Sequence, residues 1–148
     1  MPARMTLYTI GFTKKSAAQF FDLLRGARVK RVLDVRLNNV SQLAGFAKKD
    51  DLEFFLREIG GIEYLHVPEL APTQELIDLA RKRKEWQKFE AGYRRLIRAR
   101  RVEDVVSREQ LASACLLCSE DQPEHCHRRM LADYFVEHYP GLQVEHLV

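Results

Sequence analysis

Leu111-Ala-Ser-Ala-Cys-Leu-Leu-Cys118 is apolar at nearly every position. A strand without a polar face belongs at the centre of a parallel sheet, where helices cover both of its sides. The turn that follows it, Cys118 to Arg128, holds the start of a helix opened by Pro123 or Glu124. That helix carries Met130, Leu131, Tyr134, Phe135 and His138 at helical spacing and is stopped by Pro140-Gly141. Leu142-Gln-Val-Glu-His-Leu147 then reads as a last strand.

Upstream the same alternation repeats. Met5-Thr-Leu-Tyr-Thr-Ile10 is a β-rich run stopped by Gly11. Thr13 or Ser16 caps a helix with Ala17, Phe20, Phe21 and Leu24 on one face, closed by Gly26. Arg31-Val-Leu-Asp-Val-Arg36 is a short strand, followed by an irregular loop to Phe46. Asp50 or Asp51 starts a helix bearing Leu52, Phe55, Leu56 and Ile59, ended by Gly60-Gly61. Ile62-Glu-Tyr-Leu-His-Val67 is a strand stopped by Pro68. From Thr73 to about Arg101 the pattern is helical in two pieces, with Gly92 as the expected break. Val102 to Gln110 gives no clear assignment.

Strands alternating with helices predict an α/β domain: three layers, doubly wound, with a mostly parallel sheet of about five strands and helices on both faces. No repeat, low-complexity tract or linker interrupts residues 1–148, so one domain is expected. In such folds ligands bind beyond the carboxyl ends of the strands. The turns after the first four strands should therefore open on one edge.

Composition narrows the setting. The 46% hydrophobic and 30% charged content is that of a soluble globular chain. No apolar run approaches the roughly 20 residues needed to span a bilayer, and Met1-Pro-Ala-Arg-Met-Thr6 lacks the apolar core of a signal peptide. A cytoplasmic location without membrane attachment is the expectation. Three cysteines in that setting point to reduced thiols rather than a disulfide framework. The net charge is +3, but Arg81 to Arg101 holds ten basic residues against Glu85 and Glu90, a local +8. Such a stretch is either a solvated helix face or a patch for nucleic acid. Trp86, Phe89 and Tyr93 within it are candidate stacking groups, although their spacing also suits a core-facing stripe.

The chemistry concentrates in the fourth turn: Cys118, Glu120, Cys126, His127 and Arg128 fall within eleven positions. Cys126 in the first turn of a helix would meet free N–H groups that favour an anion and hence a thiolate. His125, His127 and Arg128 would add to this effect if charged. Cys115 and Cys118 form a formal Cys-x-x-Cys, but on a strand the two residues point to opposite faces some 10 Å apart, too far for a bond. Cys115 is assigned to the core, and Cys118 to the same site as Cys126. Cys118, Cys126 and His127, with Glu120 or His125, are of types that bind zinc, but their spacing departs from that of paired zinc ligands. No metal site is assigned. Asp34 and Arg36 suggest either a structural pair or an arginine that grips a phosphate or carboxylate. Gly11, Thr13, Ser41 and His66 are candidate ligand contacts from the neighbouring turns.

Tyr8-Thr-Ile-Gly11, Asp34-Val-Arg36, Leu117-Cys-Ser-Glu120 and Cys126-His-Arg128 resemble the family called domain of unknown function 488, from Tyr8 to the helix holding Leu131. The loop Leu37 to Phe46 resembles one subgroup. Phe12 stands where many members have histidine, and Leu70-Ala-Pro72 where many have Leu-Gly-Gly. The resemblance implies a fold and a site rather than a reaction.

The residues thus lead to an enzyme, or the relic of one, that binds a small anionic, phosphate-bearing ligand. Cys126 would be the nucleophile or redox thiol and Cys118 a second thiol that resolves it. Glu120 or His127 would move protons, and Arg36 and Arg128 would hold the anion. A tyrosine-phosphatase loop is excluded, because Ala132 stands where Cys-x5-Arg needs an arginine. The competing readings are a nucleic-acid-binding module using Arg81 to Arg101 and a non-catalytic regulatory or structural domain.

Overall fold

The computed structural model describes residues 4–37, 45–118 and 126–148. Five strands form one sheet: β1 (Met5–Gly11), β2 (Arg31–Asp34), β3 (Glu63–His66), β4 (Ala114–Cys118) and β5 (Leu142–Leu147). Their order is β3-β2-β4-β1-β5, and every pairing is parallel. The helices between them are α1 (Ala17–Gly26), α2 (Lys49–Phe55), α3 (Gln74–Arg81), α4 (Trp86–Arg100), α5 (Val102–Val105), α6 (Arg108–Leu111) and α7 (His127–His138). A π-helical turn, Leu56–Gly60, extends α2, and Gly61 ends it at φ 61°, a conformation that suits glycine.

The all-apolar reading of the fourth strand holds for its last five residues. β4 is buried at every position and lies between β2 and β1 at the middle of the sheet. Alternate strand residues divide between two apolar clusters, as a sheet covered on both faces requires. Leu7, Leu33, Ala114, Leu116 and Cys118 pack with Phe89, Tyr93 and Ile97 of α4 and with Met130, Leu131 and Phe135 of α7. Ile10, Val32, Cys115 and Leu117 pack with Phe20, Phe21 and Leu24 of α1 and with Leu52 of α2.

Several boundaries differ from the sequence reading; β2, expected through Arg36, ends at Asp34, and β3, expected over Ile62 to Val67, spans Glu63–His66. The strand expected from Leu111 begins at Ala114, because Ser107 caps α6 with a capping box through Gln110 and so draws Leu111 into a helix. The stretch left unassigned, Val102 to Gln110, is largely α5 and α6. The two-piece helix breaks at Lys82 to Glu85, where Lys84 adopts φ 54°, and not at Gly92. Gly92 lies inside α4, where a Cβ would stand 2.6 Å from Leu76 Cδ2. Its small size lets α3 and α4 approach.

Topology fixes where a site can form. β1 and β2 lead into helices on one face, whereas β4, between them, leads into α7 on the other. The connections therefore part at the carboxyl end of β4, the place where open α/β sheets leave a crevice. Cys118 ends that strand and pairs in register with Gly11 of β1.

Candidate functional site at the carboxyl edge of the sheet

Asp34 ends β2 fully buried, and Arg36 closes back on it two residues later. Arg36 Nε and Nη2 donate to the two carboxylate oxygens at 2.8 and 2.7 Å, and its backbone N–H donates to Oδ1 at 3.2 Å. The Tyr64 hydroxyl of β3 donates to Oδ2 at 2.5 Å. The structural pairing of Asp34 with Arg36 is therefore present, in bidentate form. It leaves one group over. Arg36 is 3% exposed, and its Nη1 is buried with no hydrogen-bond partner among the described residues. The guanidinium lies over the Phe12 ring, 5.4 Å from its centroid, an attractive arrangement for a cation. His66 Nε2 meets the Arg36 carbonyl oxygen at 2.9 Å and so pins the chain beyond β2.

The second group lies on the opposite face of the sheet. Cys118 and Cys126, 2% and 3% exposed, are joined as a disulfide, in place of the reduced thiols expected. Arg128, fully buried in α7, donates from Nη1 to Cys118 Sγ at 3.0 Å. Cys126 is the N-cap residue of α7 rather than a member of its first turn, and its side chain makes no capping hydrogen bond. Cys115 faces the α1–α2 cluster, away from Cys118, as the strand alternation predicted. Burial pushes its thiol well above the ordinary range, so it stays protonated at neutral pH.

His127 links the two groups. Its Nε2 lies 2.9 Å from the Val35 carbonyl oxygen, between Asp34 and Arg36 in the chain. A carbonyl only accepts, so Nε2 carries the hydrogen and Nδ1 keeps its lone pair. Nδ1 lies 3.9 Å from Cys126 Sγ. Burial lowers the imidazole pKa to about 4, and the charges of Arg128 and Arg81 act in the same direction, outweighing the Val35 carbonyl. The ring is neutral at pH 7. The protonation on which a positive charge from His127 depended is therefore absent at neutral pH, and Nδ1 carries a lone pair.

The remaining candidates divide plainly. Gly11 is buried beside Cys118, while Thr13 is exposed beyond β1. Ser41, Glu120 and His125 lie outside the described residues. Arg36 and Arg128, expected to hold one anion together, are engaged by Asp34 and Cys118 on different faces. Among the described residues no three His, Cys, Asp or Glu side chains are placed to hold a metal ion. Sequence reasoning missed Tyr64, Phe12 and Tyr93, whose ring meets His127 edge-on at 5.3 Å. The signal for Tyr64 was its position two residues before His66, on the same strand face; the register sets it opposite Val32, and its hydroxyl reaches diagonally to Asp34.

The basic segment has another character. Phe89 and Tyr93 are buried in the core, and Trp86 stacks on Phe89 at 4.9 Å. Phe89 and Tyr93 are therefore not available to stack on bases, while Trp86 is half-buried. Lys82, Lys88, Arg94 and Arg101 pair with Asp78, Glu85, Glu90 and Asp104, and Arg100 donates to the Glu69 and Ala71 carbonyls. Arg83, Lys84, Arg95 and Arg98 are exposed and make no ion pair among the described residues.

Fold and site together define an all-parallel α/β domain with a cysteine- and arginine-bearing edge at the end of its central strand. The chain belongs to the family described as domain of unknown function DUF488, whose model matches residues 16–135. No curated protein and no solved structure matches the chain. Among the described residues no helix is long and apolar enough to cross a membrane.

Proposed function

We propose that this edge binds a small anionic, phosphate-bearing ligand, with Arg36 as its anchor and the Cys118–Cys126 pair as its reactive group. The observation that carries the reading is the unspent Nη1 of Arg36. A buried donor left without a partner costs roughly 1–3 kcal/mol, and more when it is charged. The bidentate grip of Asp34 fixes the guanidinium plane, so Nη1 keeps its direction without a ligand. An anion oxygen at that position recovers the cost. Because Asp34 neutralises one unit of charge, the anchor selects by hydrogen-bond geometry more than by net potential.

Thermal unfolding in inorganic phosphate, against chloride at equal ionic strength, tests this reading. Phosphate at about 100 times its dissociation constant stabilises a one-site protein by about 2.7 kcal/mol. Arg36→Lys keeps the charge but loses the fork, and should lose most of that gain. Equal transitions in phosphate and chloride would remove the basis of the proposal.

A second reading rests on Arg81, Arg83, Lys84, Arg95 and Arg98, exposed cations of the α3–α4 region that make no ion pair among the described residues. They suit the phosphates of a nucleic acid, bound through its backbone without base stacking.

A further inference from the structure

We infer that Cys118 and Cys126 form a two-electron redox pair that reduces small hydroperoxides, with Cys118 as the attacking sulfur. The inference deepens the thiol half of the reading above and reverses the expected roles of the two cysteines. Three features of the geometry lead to it. The sulfurs are joined, so the two side chains meet at one place and each can resolve the other. The guanidinium of Arg128 lies 3.0 Å from Cys118 Sγ, where a fixed positive charge favours a thiolate. Cys126 instead faces the unprotonated Nδ1 of a neutral imidazole at 3.9 Å, an arrangement that takes a proton from a thiol as it attacks.

Burial selects the oxidant. With Cys118 2% and Cys126 3% exposed, neither sulfur presents a surface to a protein disulfide. Hydrogen peroxide or a small alkyl hydroperoxide is of a size to reach them.

The steps balance. The Cys118 thiolate attacks the terminal oxygen of ROOH; the O–O bond breaks and Cys118 becomes a sulfenic acid. The departing RO⁻ takes the proton that the Cys118 thiol gave up and leaves as ROH. Cys126 then attacks the Cys118 sulfur while its proton passes, by way of His127 Nδ1, to the oxygen that departs. The S–O bond breaks, hydroxide collects that proton and leaves as water, and the disulfide remains. Two thiols supply the two electrons. A small dithiol returns the pair to its reduced form by exchange.

The decisive measurement uses the reduced full-length chain, freed of reductant and mixed with hydrogen peroxide at neutral pH. One equivalent should remove two of the three thiols, lower the intact mass by two hydrogens and leave Cys115 free. The rate should exceed that of free cysteine by at least about tenfold, as an Arg-paired thiolate implies. Arg128 is buried, so variants that leave it in place carry the decision. Cys126→Ser should hold Cys118 as a sulfenic acid that dimedone traps, at the wild-type rate. Cys118→Ser should leave Cys126 no faster than free cysteine. A wild-type rate equal to that of free cysteine, or a fast sulfenic acid on Cys126 in Cys118→Ser, overturns the inference. Phosphate binding to the reduced wild-type chain is measured in parallel. Slow peroxide reaction with intact phosphate binding overturns the redox step alone, whereas loss of both overturns the site as a whole.

Discussion

Asp34 is the buried charge on which one half of the site depends. Its two oxygens accept from Arg36 twice through the side chain and once through the backbone, and from Tyr64. Removing the phenol in Tyr64→Phe should cost about 1.5–3 kcal/mol, the usual range for a hydrogen bond to a charged group. The check is a lower urea midpoint at unchanged slope. His127 makes stability depend on pH. Its folded pKa of about 4 lies below the ordinary value near 6.5, so the unfolded chain binds the proton more readily. The contribution is complete above about pH 6.5 and is lost as pH falls toward about 4. Unfolding curves across that window should decline more steeply for wild type than for His127→Gln. Among the cysteines, a reduced chain should alkylate with iodoacetamide faster at Cys126 than at Cys115, whose protonated thiol faces a closed core. Equal, slow labelling of Cys115, Cys118 and Cys126 would contradict a reactive pair.

At the scale of elements, caps and close approaches explain where helices start and why two of them touch. Ser16 accepts from the Gln19 N–H at 3.1 Å while the Gln19 side chain returns to the Ser16 N–H at 2.9 Å. Ser16→Ala should therefore cost about 1 kcal/mol of stability. Gly92 belongs to the contact between α3 and α4 rather than to a break. Gly92→Leu should push Leu76 aside and destabilise the chain by about 1–3 kcal/mol, the range for overpacking, despite leucine's better helix propensity. A break in α4 at Gly92 would instead make that substitution stabilising. The same local signals account for what was legible here. The ends of β1 and β5 were readable to within a residue, because turn residues bound alternating runs. Leu111 to Ser113 was not, because a short apolar stretch fits a helical turn as well as a strand, and the Ser107 capping box decides between them.

For the whole molecule, charge and topology act over longer distances than any single contact. Arg94, Arg95 and Arg98 lie on α4, and of these Arg95 and Arg98 are exposed without an acidic partner among the described residues. If the basic face meets nucleic acid, affinity should fall with rising salt, and neutralising these three arginines should flatten that dependence by up to about 3 in slope. Fluorescence anisotropy with a short duplex reads both quantities. Binding that is unchanged after neutralisation would leave the segment as a solvated helix face.

The sequence by itself determined the class of fold and the edge at which the candidate residues gather. Hydrophobic period and turn residues are local, and alternation of strand with helix forces a parallel sheet with its loops at one end. It also placed Cys115 in the core, since neighbouring strand residues alternate between faces. The tertiary structure alone decided which residues meet. Strand order set β4 between β1 and β2, the pairing of β3 with β2 let Tyr64 reach diagonally to Asp34, and the docking of α7 brought Arg128 onto Cys118 and His127 onto Val35. The expected cleft became two groups on opposite faces of the sheet, joined at the carboxyl end of β2. Partners 10 to 92 residues apart in the chain are chosen by packing between elements, and no local pattern encodes that choice.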